Sequence, residues 1–228
     1  MIEKKRNTIA NDDDEEYSSS DSIWVFGYGS LIWKPDFTYE RSVVGHIRGF
    51  ERKFWQGSVW HRGNEETPGR VVTLEEHLEG QVWGVAYKVS GEDIDTALGR
   101  LNKREIALGG YELHNLTFYP QDQSLEPFNA LLYAATPENS LYFGKETPEK
   151  LALQIVSAHG VSGPNVEYLF RIADFMRSKV PQVEDKHLFA VDKIARQTLG
   201  LDDVKIQTWT EIMKNNNASL NRKFVFAL

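Results

Sequence analysis

Residues 81–89, QVWGVAYKV, form a short run rich in β-branched and aromatic side chains, and they are followed at once by a change of period. Such composition marks a strand. Ser90 and Asp93, three residues apart, then resemble a capping box, and Ile94, Ala97, Leu98 and Leu101 recur at helical spacing up to residue 102. Upstream the same strand character returns at 69–74 (GRVVTL), 54–60, 42–47 and 23–26 (IWVF), with glycine-bearing turns between. Five strand-like segments thus precede the first helix. That order suits a mostly antiparallel sheet or small barrel with helices packed round it better than a βαβ alternation, so the expected class is mixed α+β.

Downstream, strands are expected at 111–119 and 129–135. Thr147 and Pro148 supply an N-cap and a first-turn proline for a helix with Leu151, Ile155 and Ala158 on its stripe and Gly160 closing it. A second helix follows Gly163-Pro164, burying Tyr168, Leu169, Ile172, Phe175 and Met176, and a third runs from about 186 to 199, ending at Gly200. Residues 201–228 are polar and ambiguous, with 215–217 a loop. Residues 1–21 contain NDDDEEYSSSDS, an acidic, serine-rich stretch with little to bury, and are expected to form a disordered tail on a single domain spanning 22–228.

Composition excludes several function classes. A net charge of −7 argues against nucleic acid, which demands clustered cations. No cysteine is present, which removes disulfides, thiolate metal sites and a cysteine nucleophile, and favours a reducing setting. No apolar run is long enough to span a membrane, and no apolar core follows the basic residues Lys4, Lys5 and Arg6 as a secretory signal requires. Cytoplasm is the default, with a nuclear pool compatible. The six histidines are scattered singly, so no metal site is expected.

Residues 23–33, IWVFGYGSLIW, interrupt an apolar strand with Gly27-Tyr28-Gly29-Ser30. The dinucleotide fingerprint fails because Ile32 stands where its third glycine belongs, the phosphate loop lacks its Gly-Lys-Ser/Thr, and no G-x-S-x-G elbow occurs. Two readings remain open: a tight turn, or a nest whose glycines let backbone N–H groups approach a carboxylate or oxyanion. Glu105 is a second candidate. It follows the helix and enters the apolar run 106–108 before Gly109-Gly110, so it is either a partly desolvated carboxylate or an exposed one paired with a neighbouring cation. Trp55 and Trp60 suggest an aromatic carbohydrate surface, but their setting reads as strand core.

Taken together, VFGYGSLIW (25–33), RGFERKFWQGSVWHRG (48–63), PGRVVTL (68–74), VWGVAY (82–87), REIALGGYE (104–112), ALLYAATPEN (130–139) and QIVSAHGVSGPNVEYLF (154–170) resemble the ChaC-like, glutathione-specific γ-glutamylcyclotransferases. The resemblance runs from about 24 to 177, leaving 178–228 as a C-terminal helical extension. It implies a γ-glutamylcyclotransferase-like fold, built round a small barrel-like sheet, and conversion of glutathione to 5-oxoproline and cysteinylglycine without metal or organic cofactor. It assigns the catalytic acid/base to Glu105, with Glu112 an alternative, and the substrate loop to Gly27, Tyr28, Gly29, Ser30, Leu31 and Ile32. Arg70 is a candidate partner for a substrate carboxylate and Tyr142 a candidate wall residue, each with a structural alternative. The rival of a different class is a non-catalytic protein that binds γ-glutamyl ligands in the same pocket. Oligomeric state is not legible.

Overall fold

The computed structural model describes residues 21–103, 111–135, 138–201 and 207–215. Five strands close into a barrel: β1 Ser22–Gly27, β2 Arg41–Ser58, β3 Gly69–Ser90, β4 Tyr111–Pro120 and β5 Phe128–Ala135. Their order round the barrel is β1-β3-β2-β4-β5. Every pairing is antiparallel except the closing one, where Val25 of β1 meets Leu131 of β5 in parallel. The mixed fold with a small, mostly antiparallel barrel is therefore the architecture expected from the order of elements.

The sequence divides β2 and β3 each into two short strands, but both run continuously. Arg48 pairs with Gln81, and the next pair is Phe50 with Glu76, so residues 77–80 bulge from β3 opposite Gly49. Gly49 has φ +85, which only glycine adopts readily, and Leu78 on the bulge is 82% exposed. The charged run 75–80 is polar because a bulge lifts it into solvent. It does not end the strand.

Helix α1, Asp93–Leu101, buries Ile94, Ala97 and Leu101 against one side of the barrel. Its expected serine cap is absent. Ser90 is the last residue of β3, Gly91 at φ +56 turns the chain, and the N-cap is Glu92 with no side-chain bond. Helix α2, Pro148–Ser157, begins as expected, the Thr147 side chain accepting from the Lys150 N–H. It stops before Gly160, which instead belongs to a two-residue ribbon, β6 His159–Gly160 with β7 Gly163–Pro164. A β-carbon on Gly160 would overlap the Trp60 carbonyl, so the glycine serves a close approach rather than a helix end.

Helices α3, Asn165–Lys179, and α4, Lys186–Leu199, complete the main core with Leu169, Ile172, Met176, Leu188, Val191 and Ala195. Gly200, at φ +69, caps α4 as expected. Residues 186–199 are thus part of the same packed unit as the barrel. A short helix α5, Trp209–Asn215, covers α3, where the Trp209 N–H donates to Asp174 and its ring meets Phe170. The expected tail and the 216–228 end lie outside the described residues, as does most of the 215–217 loop. Among the described residues no helix is long and apolar enough to cross a membrane.

Candidate active site

The chain leaves β1 through Gly27 and folds back at once into a 3-10 turn, Ser30–Ile32. Space dictates both glycines. A β-carbon on Gly27 would overlap that of Leu31, and one on Gly29 would stand 2.7 Å from Tyr168 Oη and 3.1 Å from Val72 Cγ2. The loop therefore lies flat on α3 and β3. The Ile32 N–H closes the turn on the Gly29 carbonyl at 3.1 Å, and the Tyr87 hydroxyl donates to the carbonyls of Leu31 (2.8 Å) and Ile32 (3.2 Å). Burial pushes the Tyr87 phenol well up, so it remains a donor across the physiological range.

Residues 27–31 of this loop line a cavity of about 500 Å³ at one end of the barrel. A cleft of that size suits a small-molecule ligand. Its other walls come from the end of β2 and the following loop (57–62), from Val71 and Val72, from Tyr111 and Tyr133, and from Glu167, Tyr168 and Arg171 on α3. Tyr28 is nearly buried and donates its hydroxyl to the Tyr133 carbonyl at 2.9 Å, so it braces the wall. Ile32 does not line the cavity. It packs with the α1 cluster.

The other sequence candidates fall in different places. The Arg70 guanidinium donates to Gln154 Oε1 (2.8 Å) and the Gly144 carbonyl (3.3 Å) and lies over Phe143, outside the cavity lining. Tyr142 also lies outside it, donating to Glu75 Oε1 at 2.7 Å, and burial followed by that bond pushes its phenol up to about 12. Glu105 lies outside the described residues. The segment that holds it joins Lys103 to Tyr111, and both of its described flanks reach the cavity wall. Tyr111 lines the cavity, and the Asn102 Oδ1 accepts from the hydroxyl of Tyr133, another lining residue, at 2.7 Å. Glu112, the alternative, is exposed on β4.

Several wall residues escape the sequence reading. Trp60 is not strand core: β2 ends at Ser58, and Trp60 is 60% exposed at the cavity. Beside it, His61 Nδ1 and Ser162 Oγ share a hydrogen bond of 3.1 Å. Arg62, nearly buried, donates Nη1 to the Pro164 carbonyl (2.9 Å) and to Glu167 Oε2 (2.8 Å). Arg171 donates Nε to the other Glu167 oxygen at 2.8 Å. Burial would raise the Glu167 carboxyl, but hydrogen bonds from Arg62 and Arg171 outweigh it and hold the group below the usual range, as a fixed anion and a poor base. Asn165, fully buried, exchanges two bonds with the Arg70 backbone (2.6 and 2.8 Å) and fixes the start of α3 against β3. Of these, only the Glu167/Arg171 spacing is visible as a helical i,i+4 pair.

The described lining carries Lys34, Arg62 and Arg171 against Asp36 and Glu167, one cation in excess in a chain of net charge −7. It therefore favours an anionic ligand. Among the described residues no three His, Asp or Glu side chains converge on a metal position.

Comparison with known proteins gives a consistent result. Residues 23–198 match the family described as ChaC-like protein. The chain is 54% identical over 170 residues to glutathione-specific γ-glutamylcyclotransferase 1 of Mus musculus, covering 75% of this chain and 76% of the mouse protein. Against the Danio rerio protein of the same name it is 48% identical over 178 residues, covering 78% and 91%. Among solved structures it is similar to the selenomethionine-labelled γ-glutamyl cyclotransferase specific to glutathione from yeast. That match has a TM-score of 0.70 and 27% identity, and covers 78% of this chain and 97% of the yeast chain.

Proposed function

This chain belongs to the ChaC-like protein family, and on that premise we propose that it is a glutathione-specific γ-glutamylcyclotransferase, an enzyme that converts glutathione to 5-oxoproline and cysteinylglycine. The observation that carries the reading is the 54% identity to enzymes of that name over three quarters of the chain. The cavity at the glycine loop, with its excess of cationic lining, supports it.

The reaction is an internal aminolysis. The α-amine of the γ-glutamyl unit attacks its own γ-carbonyl carbon, a C–N bond closes the five-membered lactam, and the old amide bond breaks to release the cysteinyl amine. Because nucleophile and electrophile share one molecule, holding the folded conformer supplies much of the rate by orientation alone. No protein nucleophile is needed, in keeping with a chain that has no cysteine.

A proton must leave the substrate ammonium, whose pKa is about 8, and one must reach the departing amine. In our reading Glu105 carries it both ways. An ordinary glutamate near 4.3 is a weak base for that task; lifting its pKa by about two corresponds to roughly 2.7 kcal/mol, within reach of a half-dry pocket. What supports this role is the position of Glu105 in a segment whose described flanks, Asn102 and Tyr111, both attach to the cavity wall. The backbone of residues 27–31, packed without side-chain bulk on Tyr168 and Val72, is the proposed seat of the γ-glutamyl group and its tetrahedral oxyanion. A reducing, cytoplasmic setting open to the nucleus belongs to the same reading and is supported by the absence of cysteine.

Incubating the purified protein separately with glutathione, γ-glutamylalanine and free glutamine tests the proposal. Equimolar 5-oxoproline and cysteinylglycine from glutathione, with little product from the other two, is the expected result. Binding of glutathione with no 5-oxoproline would instead identify a non-catalytic binding protein.

A further inference from the structure

Glutathione carries a second carboxylate, on its glycyl end, remote from the reacting atoms. We infer that Arg171 binds that distal carboxylate and so selects glutathione among γ-glutamyl compounds. The inference rests on the cyclotransferase reading above and supplies the residue behind its substrate preference.

The lining cations have different tasks. Arg62 is nearly buried, with Nη1 shared between the Pro164 carbonyl and Glu167, so it serves the wall itself. Among the described residues Arg171 is bonded through Nε alone, to Glu167 Oε1 at 2.8 Å, while its guanidinium lies 5.8 Å from the centroid of the Trp33 ring. Among the described residues its two terminal nitrogens have no partner, and its side chain is 35% exposed at the cavity. An arginine fixed by Nε and set over an aromatic ring presents a pre-oriented fork, which suits a planar carboxylate.

Placement on α3 agrees. Tyr168 and Arg171 are three residues apart, hence on one face and about 4.5 Å apart along the helix axis. Tyr168 is 5% exposed and touches the glycine loop, so it marks the deep end, whereas Arg171 lies toward solvent. A substrate with its γ-glutamyl head on the loop extends its cysteinylglycine part toward the mouth over roughly 7 Å for two residues. The remote carboxylate then falls on the Arg171 side. Arg70, the cation first suspected of such a contact, is committed to Gln154 and Gly144 outside the cavity.

The test compares kcat/KM for glutathione and for glutathione with its glycyl carboxylate converted to the carboxamide, in wild type, Arg171→Gln and Arg171→Lys. Wild type is expected to favour the free acid by roughly ten- to a hundredfold, the worth of one charge-assisted hydrogen-bonded contact. In Arg171→Gln the ratio should collapse toward one, with Arg171→Lys between. The ratio within one variant does not depend on how much of it is folded. If turnover by Arg171→Gln is too slow to follow, the Kd ratio of the two compounds by calorimetry replaces it. An undiminished ratio in Arg171→Gln, or an equal loss on both substrates, overturns the inference. So does a wild type that forms 5-oxoproline from both at the same rate. A wild type that forms none from either overturns the cyclotransferase reading instead.

Discussion

The phenol oxygen of Tyr168 lies 2.7 Å from the point a β-carbon on Gly29 would occupy, and Val72 Cγ2 lies 3.1 Å from it. Space forbids a side chain at Gly29. Gly29→Val should therefore move the loop, raising KM for glutathione severalfold or more, while overpacking costs about 1–3 kcal/mol of stability. In a Tyr168→Phe background the crowding eases, so the two changes should couple by about 1 kcal/mol in urea unfolding. Strict additivity, with unchanged KM, would mean that the loop and α3 do not meet as described.

The Glu167 carboxylate, which joins Arg62 to Arg171, gives a pH-dependent prediction. Burial opposes its charge, the two arginines prevail, and its folded pKa lies below the ordinary value of 4.5. Its stabilisation is fully present above that value and lost as pH falls below it. Glu167→Gln should cost about 1–3 kcal/mol at pH 7. The gap to wild type should narrow as pH falls below 4.5, as read by urea unfolding.

His187 acts in a higher window. Its ring nitrogen accepts the Phe54 N–H at 3.1 Å, and burial, helped by Lys53, lowers its pKa from 6.5 to about 4. The unfolded chain therefore takes up a proton that the folded chain refuses, and stability falls as pH drops from 6.5 toward 4. Between pH 7 and pH 5 this amounts to about 2 kcal/mol. His187→Gln should flatten the unfolding free energy over that range.

Away from the cavity, Asp192 is fully buried and takes Arg196 Nε on both oxygens, at 3.0 and 3.1 Å, together with Arg177. Arg196 in turn donates to the Gln207 carbonyl and lies over Phe170. Asp192→Ala leaves the buried Arg196 with the more distant Asp174 carboxylate, at 3.7 Å, in place of its close partner, and should cost about 3–5 kcal/mol in thermal or urea unfolding. KM for glutathione in the folded protein should not change.

Much of this fold is legible from local pattern. Thr147-Pro148, Gly200 and the apolar spacing of α3 each announce a boundary or a face by short-range physics, and each is realised. The failures are long-range. Residues 75–80 read as a turn because their charge reveals exposure without revealing that Gly49, on the facing strand, absorbs a bulge. Gly160 reads as a helix stop because its actual neighbour, the Trp60–His61 backbone, is a hundred residues away in sequence. At the site, the glycine loop is visible as a gap in an apolar run. Tyr168 reads only as core, and Arg62 and Arg171 are ordinary surface cations until α3 is laid against the cavity. Arg70 and Tyr142 stand close to that wall in sequence but turn to Gln154 and Glu75.

In the proposed mechanism this cavity works with a proton carrier at Glu105. The most direct measurement is the rate of 5-oxoproline formation from glutathione by wild type and Glu105→Gln, on protein whose melting temperature matches wild type. The change removes the titrating oxygen and keeps nearly the same shape, so turnover should fall by a factor of roughly 10² or more, as expected for loss of a general acid/base. A folded Glu105→Gln protein that forms 5-oxoproline at the wild-type rate would contradict the account.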